Sequence, residues 1–153
     1  MPKIFCPRCG KETDTWHQPA LAVDCIISVR GTNGIILIER RNPPLGLSLP
    51  GGFVEYGETV EHAVRRETLE EVSCKLDDLK QFRVYSDPTR DPRHHTVALV
   101  FTAVTDSVPK AGDDAKMVHL LEPSWFPPQQ MVFDHTQVIK DWLRSERWMP
   151  QVP

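Results

Sequence analysis

The sequence predicts an α/β fold, and three observations carry that reading. Two β-branched apolar runs, ALAVDCIISV (20–29) and GIILIER (34–40), flank the short polar stretch RGTN. A helix with one apolar stripe follows a Gly-Gly turn from about residue 59, and a further apolar run, TVALVFTAVT (96–105), precedes a C-terminal helical pattern. A chain of 153 residues with 40% hydrophobic content can bury one good core and is short for two, so one domain is expected. The formal net charge of -3 argues against a protein built to grip nucleic acid or an anionic membrane. An anionic ligand therefore has to be held by a local site.

The elements follow in order. Residues 1–19 form a short leading segment whose start, MPKIFCPRCGKE, lacks the apolar core of a secretory signal, and no apolar run later is long enough to span a bilayer. A cytoplasmic protein is expected. In CPRCG, Cys6 and Cys9 are spaced like half of a zinc ribbon, and His17 would be the next ligand, at a non-standard spacing. A lone CxxC also reads as a redox pair or simply a tight turn. Cys25 and Cys74 sit in apolar surroundings and read as small buried hydrophobes.

The domain proper is expected over 20–148, with a tail at 149–153. The runs at 20–29 and 34–40 read as two strands joined by a tight turn, and RRNPPLGLSLPGG as a Pro/Gly-rich connection. A helix is predicted over about 59–72, then a strand in KLDDLKQFRVYS and another at 96–105. Residues 106–128 read as loop, and DHTQVIKDWLRSERW places Val138, Ile139, Trp142 and Leu143 at helical spacing for packing on the sheet.

The first helix carries the chemistry. Val60, Ala63 and Val64 mark its apolar face, and the same stripe continues to Glu67, Glu70 and Glu71. Carboxylates three and four residues apart share one patch and repel, so they call for a cation; oxygen-only ligands suit a hard ion, Mg²⁺ or Mn²⁺. The alternative is a solvated face neutralised by Arg65 and Arg66. Gly51-Gly52 lets the backbone come close to a bound ion, so a carbonyl there is a further ligand candidate.

Gly52, Glu58, Arg66, Glu67, Glu70 and Glu71 stand at the spacings of G-x5-E-x7-R-E-U-x-E-E-x-G-U, the signature of the Nudix hydrolases. Thr68, Ser73 and Cys74 depart from it, at an aliphatic, a glycine and an apolar position. RRNPPLGLSLPGGFVEYGE, VYSDPTRDPRHHTVALVF, GDDAK and FDHTQVIKDWL look like the ADP-ribose pyrophosphatase branch, so the resemblance runs from about Ala20 to Leu143. His94 stands where that branch commonly has glycine, and MVHLLEPS reads as a lengthened loop after GDDAK.

The resemblance implies an α/β/α sandwich with a mixed sheet and attack of water on a phosphorus of a nucleoside diphosphate derivative. It makes Glu67, Glu70, Glu71 and the Gly51 carbonyl metal ligands, with Arg66 orienting the carboxylates, Glu58 bracing them, and a general base from the helix or a loop, where Glu122 is the candidate. On the substrate side, Arg90 and Arg93 could meet phosphate or ribose oxygens. Arg40, with Arg41 beside it, is read the same way, or all four are exposed arginines. Phe53 is an adenine-side contact or a hydrophobic plug. The expected activity is Mg²⁺-dependent hydrolysis of ADP-ribose to AMP and ribose 5-phosphate, by a homodimer. The alternatives are another nucleotide (NTP or dNTP, NADH, a dinucleotide polyphosphate, a sugar nucleotide) or a non-catalytic ADP-ribose-binding module. Any zinc at Cys6 and Cys9 would be structural.

Overall fold

The computed structural model describes residues 4–6, 8–13, 18–112 and 115–145. Strands β1 (Ile4–Phe5) and β2 (Glu12–Thr13) pair antiparallel as a small separate sheet, with Cys6 and, in a turn, Cys9 between them in the chain. The Gly10 N–H donates to the Cys6 carbonyl at 2.8 Å and the Cys6 N–H to Lys11 at 2.9 Å, with Gly10 at φ 68°, a left-handed conformation that glycine takes without strain. Cys6, Cys9, Cys25 and Cys74 are free thiols, the last two buried. His17 and residues 149–153 lie outside the described residues.

The main sheet has seven strands: β3 (Ala20–Val29), β4 (Ile35–Arg40), β5 (Leu47–Ser48), β6 (Gly51–Phe53), β7 (Asp77–Tyr85), β8 (Thr96–Thr105) and β9 (Ala115–Leu121). It is mixed. β3 runs parallel to β8 from Ala20↔Thr96 to Val29↔Thr105, and antiparallel to β4 and β6. Helices α1 (Val60–Val72) and α2 (His135–Arg144) cover its two faces. That explains why β3 and β4 read as unbroken apolar runs, since strands covered on both faces need no polar side. Val23, Cys25, Ile27, Ile36 and Ile38 pack with Ala63 and Val64 of α1. Ile26, Ile35 and Leu37 pack with Val138, Ile139 and Trp142 of α2. Among the described residues no helix is long and apolar enough to cross a membrane.

The loop expected over 106–128 contains a strand. Residues 115–121 form β9, antiparallel to β4 from Arg40↔Ala115 to Ile35↔Leu121, so MVHLL extends the sheet and does not lengthen a loop. Its pattern hides it: Met117 and Leu120 are half exposed, and Lys116 turns outward to Glu39 at 2.6 Å. An edge strand of this kind offers no apolar run and no clean alternation.

α1 starts where its sequence says, with the Thr59 hydroxyl accepting the His62 N–H at 3.2 Å. It ends on Ser73 in the left-handed conformation, φ 56° and ψ 29°, which is why the family pattern has glycine there. Thr68, at the aliphatic position, is fully buried, and its hydroxyl donates back to the Val64 carbonyl at 2.8 Å, so the departure leaves no buried polar group unmet.

Candidate active site

Arg66 organises the acidic wall. Its Nε and Nη2 donate to the two oxygens of Glu58 at 2.9 and 3.0 Å; Nη1 donates to Glu67 at 2.7 Å and Glu70 at 3.3 Å; and Nη2 reaches the Phe53 carbonyl at 3.1 Å. A planar fork of donors fixes three carboxylates and the end of β6 at once, which a lysine ammonium cannot do. Hydrogen bonds from Arg66, the Glu55 N–H and His62 hold the Glu58 carboxyl down at about 2. Glu58 therefore remains charged as the brace of Arg66.

The apolar stripe of α1 does not carry all three expected acids inward. The buried side continues through Thr68, Glu71 and Val72; Glu67 is half-buried beside it, and Glu70 stands at the exposed rim. Glu71 is the inward one. Burial pushes its carboxyl up to about 8, against the Gly51 N–H donating to it at 2.8 Å, with Glu67 and Asp24 adding repulsion. Burial also raises Glu67, against Arg66. A Cβ on Gly52 would occupy the space of the Glu67 carboxylate, and one on Gly51 would run into the Val23 carbonyl. The two glycines thus let β6 lie directly against the acids.

Among the described residues no three acidic, His or Cys side chains converge as a ready metal cage. The donor set nevertheless fits a hard divalent ion. Glu71 is a buried carboxyl whose one positive neighbour, Arg40, does not offset its burial, Glu67 sits next to it, and the glycine backbone approaches both without side-chain obstruction.

These groups line one side of a cleft of 380 Å³. Its floor is Asp24 on β3, in the register that faces α2. Burial alone would raise the Asp24 carboxyl, but His135 and Arg90 offset this and hold it below the usual range. His135 Nε2 lies 3.4 Å from Asp24 Oδ2, and Arg90 lies 3.5 Å from the same oxygen. Arg90 also makes a two-pronged contact with Asp134, at 2.9 and 2.7 Å, which draws away the side chain that would otherwise cap α2. The Ser48 hydroxyl, buried in the cleft, has no hydrogen-bond partner among the described residues.

The same cleft carries a row of planar groups. The Arg40 guanidinium lies 5.1 Å from the Phe133 ring, Arg93 lies 5.3 Å from Phe133 and 5.6 Å from Phe53, and His94 stacks on Phe53 at 5.5 Å. Asp91 fixes Arg93 through both carboxylate oxygens at 3.0 and 2.8 Å. Against burial, which would raise it, the Arg93 donors hold the Asp91 carboxyl at about 2.

Arg40, Gly51, Phe53, Glu67, Glu71, Arg90 and Arg93 thus line one cleft. Arg90 is in place, but its side chain is 3% exposed and engaged by carboxylates, so it acts as a strut rather than an open phosphate contact. Glu122 is not at the cleft. Arg40, which lines the cleft, pairs with Ala115, and β9 runs from there to Leu121 beside Ile35, so Glu122 follows the end of β9 away from Arg40. Sequence reasoning missed Asp24, Asp91, Phe133 and His135. Asp24 alone carried a signal, as a charge inside ALAVDCIISV.

The NUDIX domain family matches residues 18–151. An ADP-ribose pyrophosphatase of Methanocaldococcus jannaschii is 43% identical over 145 residues, spanning 93% of this chain and 83% of that relative. The NAD-capped RNA hydrolase NudC of Salmonella paratyphi C is 32% identical over 124 residues, 80% of this chain but 44% of the relative, so the chain spans under half of that protein's length. A NUDIX hydrolase structure from Nitrosomonas europaea aligns with a TM-score of 0.75 at 26% identity, over 96% of this chain and 81% of that one.

Proposed function

Because the chain belongs to the Nudix family and is a pyrophosphohydrolase of it, we propose that its substrate is ADP-ribose, cleaved to AMP and ribose 5-phosphate with Mg²⁺ or Mn²⁺. The observation that carries this is one cleft lined both by carboxylates and by a row of planar, cationic groups. A diphosphate between a base and a sugar asks for both. In this reading Glu67, Glu70, Glu71 and the Gly51 carbonyl hold the metal, which neutralises phosphate charge when bound. Arg66 and Glu58 keep the carboxylates in place. Arg40 and Arg93 meet phosphate or ribose oxygens, and Phe53 and Phe133 offer ring faces to the adenine side. Water adds across the P–O–P bridge, one phosphorus taking its oxygen and the other phosphate leaving. With Glu122 at the far end of β9, the proton goes to a carboxylate of α1.

A second reading, an NAD-type dinucleotide, is favoured by the likeness to NudC. The two are separated by kcat/KM on a panel of ADP-ribose, NADH, diadenosine polyphosphates, sugar nucleotides and (d)NTPs, with EDTA as control. ADP-ribose at the head of the panel supports the first; NADH well above it overturns it. The same proposal takes the enzyme as a cytoplasmic homodimer, the second part checked by sedimentation equilibrium. It also takes any zinc on Cys6 and Cys9 as structural, so a Cys6→Ser, Cys9→Ser double variant keeps its turnover.

A further inference from the structure

The turn Leu49–Gly52 holds the backbone that the proposed metal needs, and, besides the antiparallel pairing of Gly51 and Gly52 with Asp24 and Val23 of β3, three hydrogen bonds tie it down. The Cys25 N–H donates to the Pro50 carbonyl at 2.9 Å, and the Gly51 N–H donates to Glu71 at 2.8 Å. The third comes from α2: the Leu49 N–H donates to His135 Nδ1 at 3.0 Å, across 86 residues of sequence. Because a backbone N–H can only donate, Nδ1 must accept, and the ring proton sits on Nε2, facing Asp24 at 3.4 Å. The imidazole is 2% exposed and packs against the Phe133 ring, tilted at 54° with centroids 5.3 Å apart. The Glu71 tie uses a carboxylate that the metal also claims. The His135 tie does not.

We propose that His135 is a positioning residue for the metal site: it pins Leu49 and so sets where the Gly51 carbonyl stands, independently of Glu71. This rests on the reading of Gly51 and the α1 acids as metal ligands. Its contact with Asp24 fixes the tautomer and is secondary.

Two substitutions split the ring's two contacts. In His135→Asn the amide oxygen takes the place of Nδ1 and can still accept from Leu49; in His135→Gln the amide nitrogen takes the place of Nε2 and can still donate to Asp24. Each gives up the imidazole ring, so a purely structural role would lower both melting temperatures and change metal binding in step with them. Mn²⁺ titrated alone, with free ion followed by electron paramagnetic resonance, measures the site without substrate. His135→Asn is expected to bind within about threefold of wild type, and His135→Gln to bind weaker by roughly tenfold or more, the usual range for a lost outer-shell partner. kcat for ADP-ribose with Mg²⁺ should fall in the same order, with KM within about twofold. Equal Mn²⁺ affinities for the two variants, or the reverse order, overturn the proposal. Glu71→Gln, run beside them, separates the failures. If it weakens Mn²⁺ while His135→Gln does not, the positioning role falls alone; if it leaves Mn²⁺ binding unchanged, the metal reading falls and takes this proposal with it.

Discussion

The acidic wall of the cleft and its floor are built by opposite means. The acidic wall comes from one stretch of chain, Gly51 to Glu71, in which a turn and a helix place Arg66 within reach of Glu58, Glu67 and Glu70. The floor beneath it comes from residues far apart in sequence, Asp24, Arg90, Asp134 and His135, brought together by β3, the loop before β8 and the start of α2. The local wall leaves its key acid with one positive neighbour, Arg40, that does not offset its burial, so Glu71 is held at about 8, whereas the distant groups satisfy one another. The difference divides the work: the unmet carboxyl stands where the proposed metal would bind, and the mutually satisfied groups lie beneath it.

The sharpest way to break this contrast is to remove a member of the satisfied group. Arg90→Met should destabilise the protein by on the order of 3–5 kcal/mol, since it removes one of the two cationic or donor partners of the buried Asp24 and the two-pronged contact with Asp134. Urea unfolding at pH 7 measures it. A loss under 1 kcal/mol would show that water replaces the arginine and that the floor is no strut.

Glu71→Gln should do the reverse. It keeps the acceptor for the Gly51 N–H and resembles the protonated carboxyl that the metal-free site holds below about pH 8, so metal-free thermal stability should be unchanged or slightly raised, while kcat falls by roughly a hundredfold or more and Mg²⁺ stabilises the variant less. Melting curves with and without Mg²⁺, beside one rate, test this. A large loss of stability without metal would make Glu71 structural.

The pH dependence is expected next in size. The Glu71 carboxyl titrates near 8 in the folded chain and near the ordinary glutamate value, about 4.3, in the unfolded one, so the native state keeps a proton in between. Its contribution to metal-free stability is full below the lower value and is lost as pH rises through the upper. Mg²⁺ competes with that proton, so its affinity should rise about tenfold from pH 7 to pH 9. Calorimetric titration at the two pH values checks this, and Glu71→Gln should flatten it.

The smallest change lies away from both wall and floor. Ser73→Gly relieves a left-handed backbone and should add up to about 1 kcal/mol of stability without altering kcat. Thermal melting shows whether the exit of α1 is strained as its φ of 56° implies.

The same contrast explains what could be read from the chain. β3, β4, β8 and both helices were legible because their signals are local: apolar runs, Thr59 before a stripe, and Val138, Ile139 and Trp142 at helical spacing. Arg66 and its carboxylates were legible for the same reason. β9 was not, because an exposed edge strand with Lys116 and His119 among its apolar residues carries neither pattern. Nor could sequence alone put Glu122 at the wrong end of that strand. The stripe on α1 misled by part of a turn, since Thr68 took the buried place with its hydroxyl bonded back to Val64, and left Glu70 at the rim. His135 was invisible because its partners, Leu49 and Asp24, are 86 and 111 residues away.

The last turn of α1 does not end in solvent. Its Glu71 and Val72 carbonyls accept the N–H groups of Gly112 at 2.8 Å and Lys110 at 3.0 Å, and a Cβ on Gly112 would collide with the Glu70 carbonyl. The helix that carries the acids is therefore tied at its end to the chain leading into β9. Amide protons at 110 and 112 trade with deuterium only when these two bonds open, so their exchange reports how firmly that segment is held to a helix about forty residues upstream. A ligand at the Glu71 side chain, within the cleft, is expected to slow that exchange at a place the ligand does not touch.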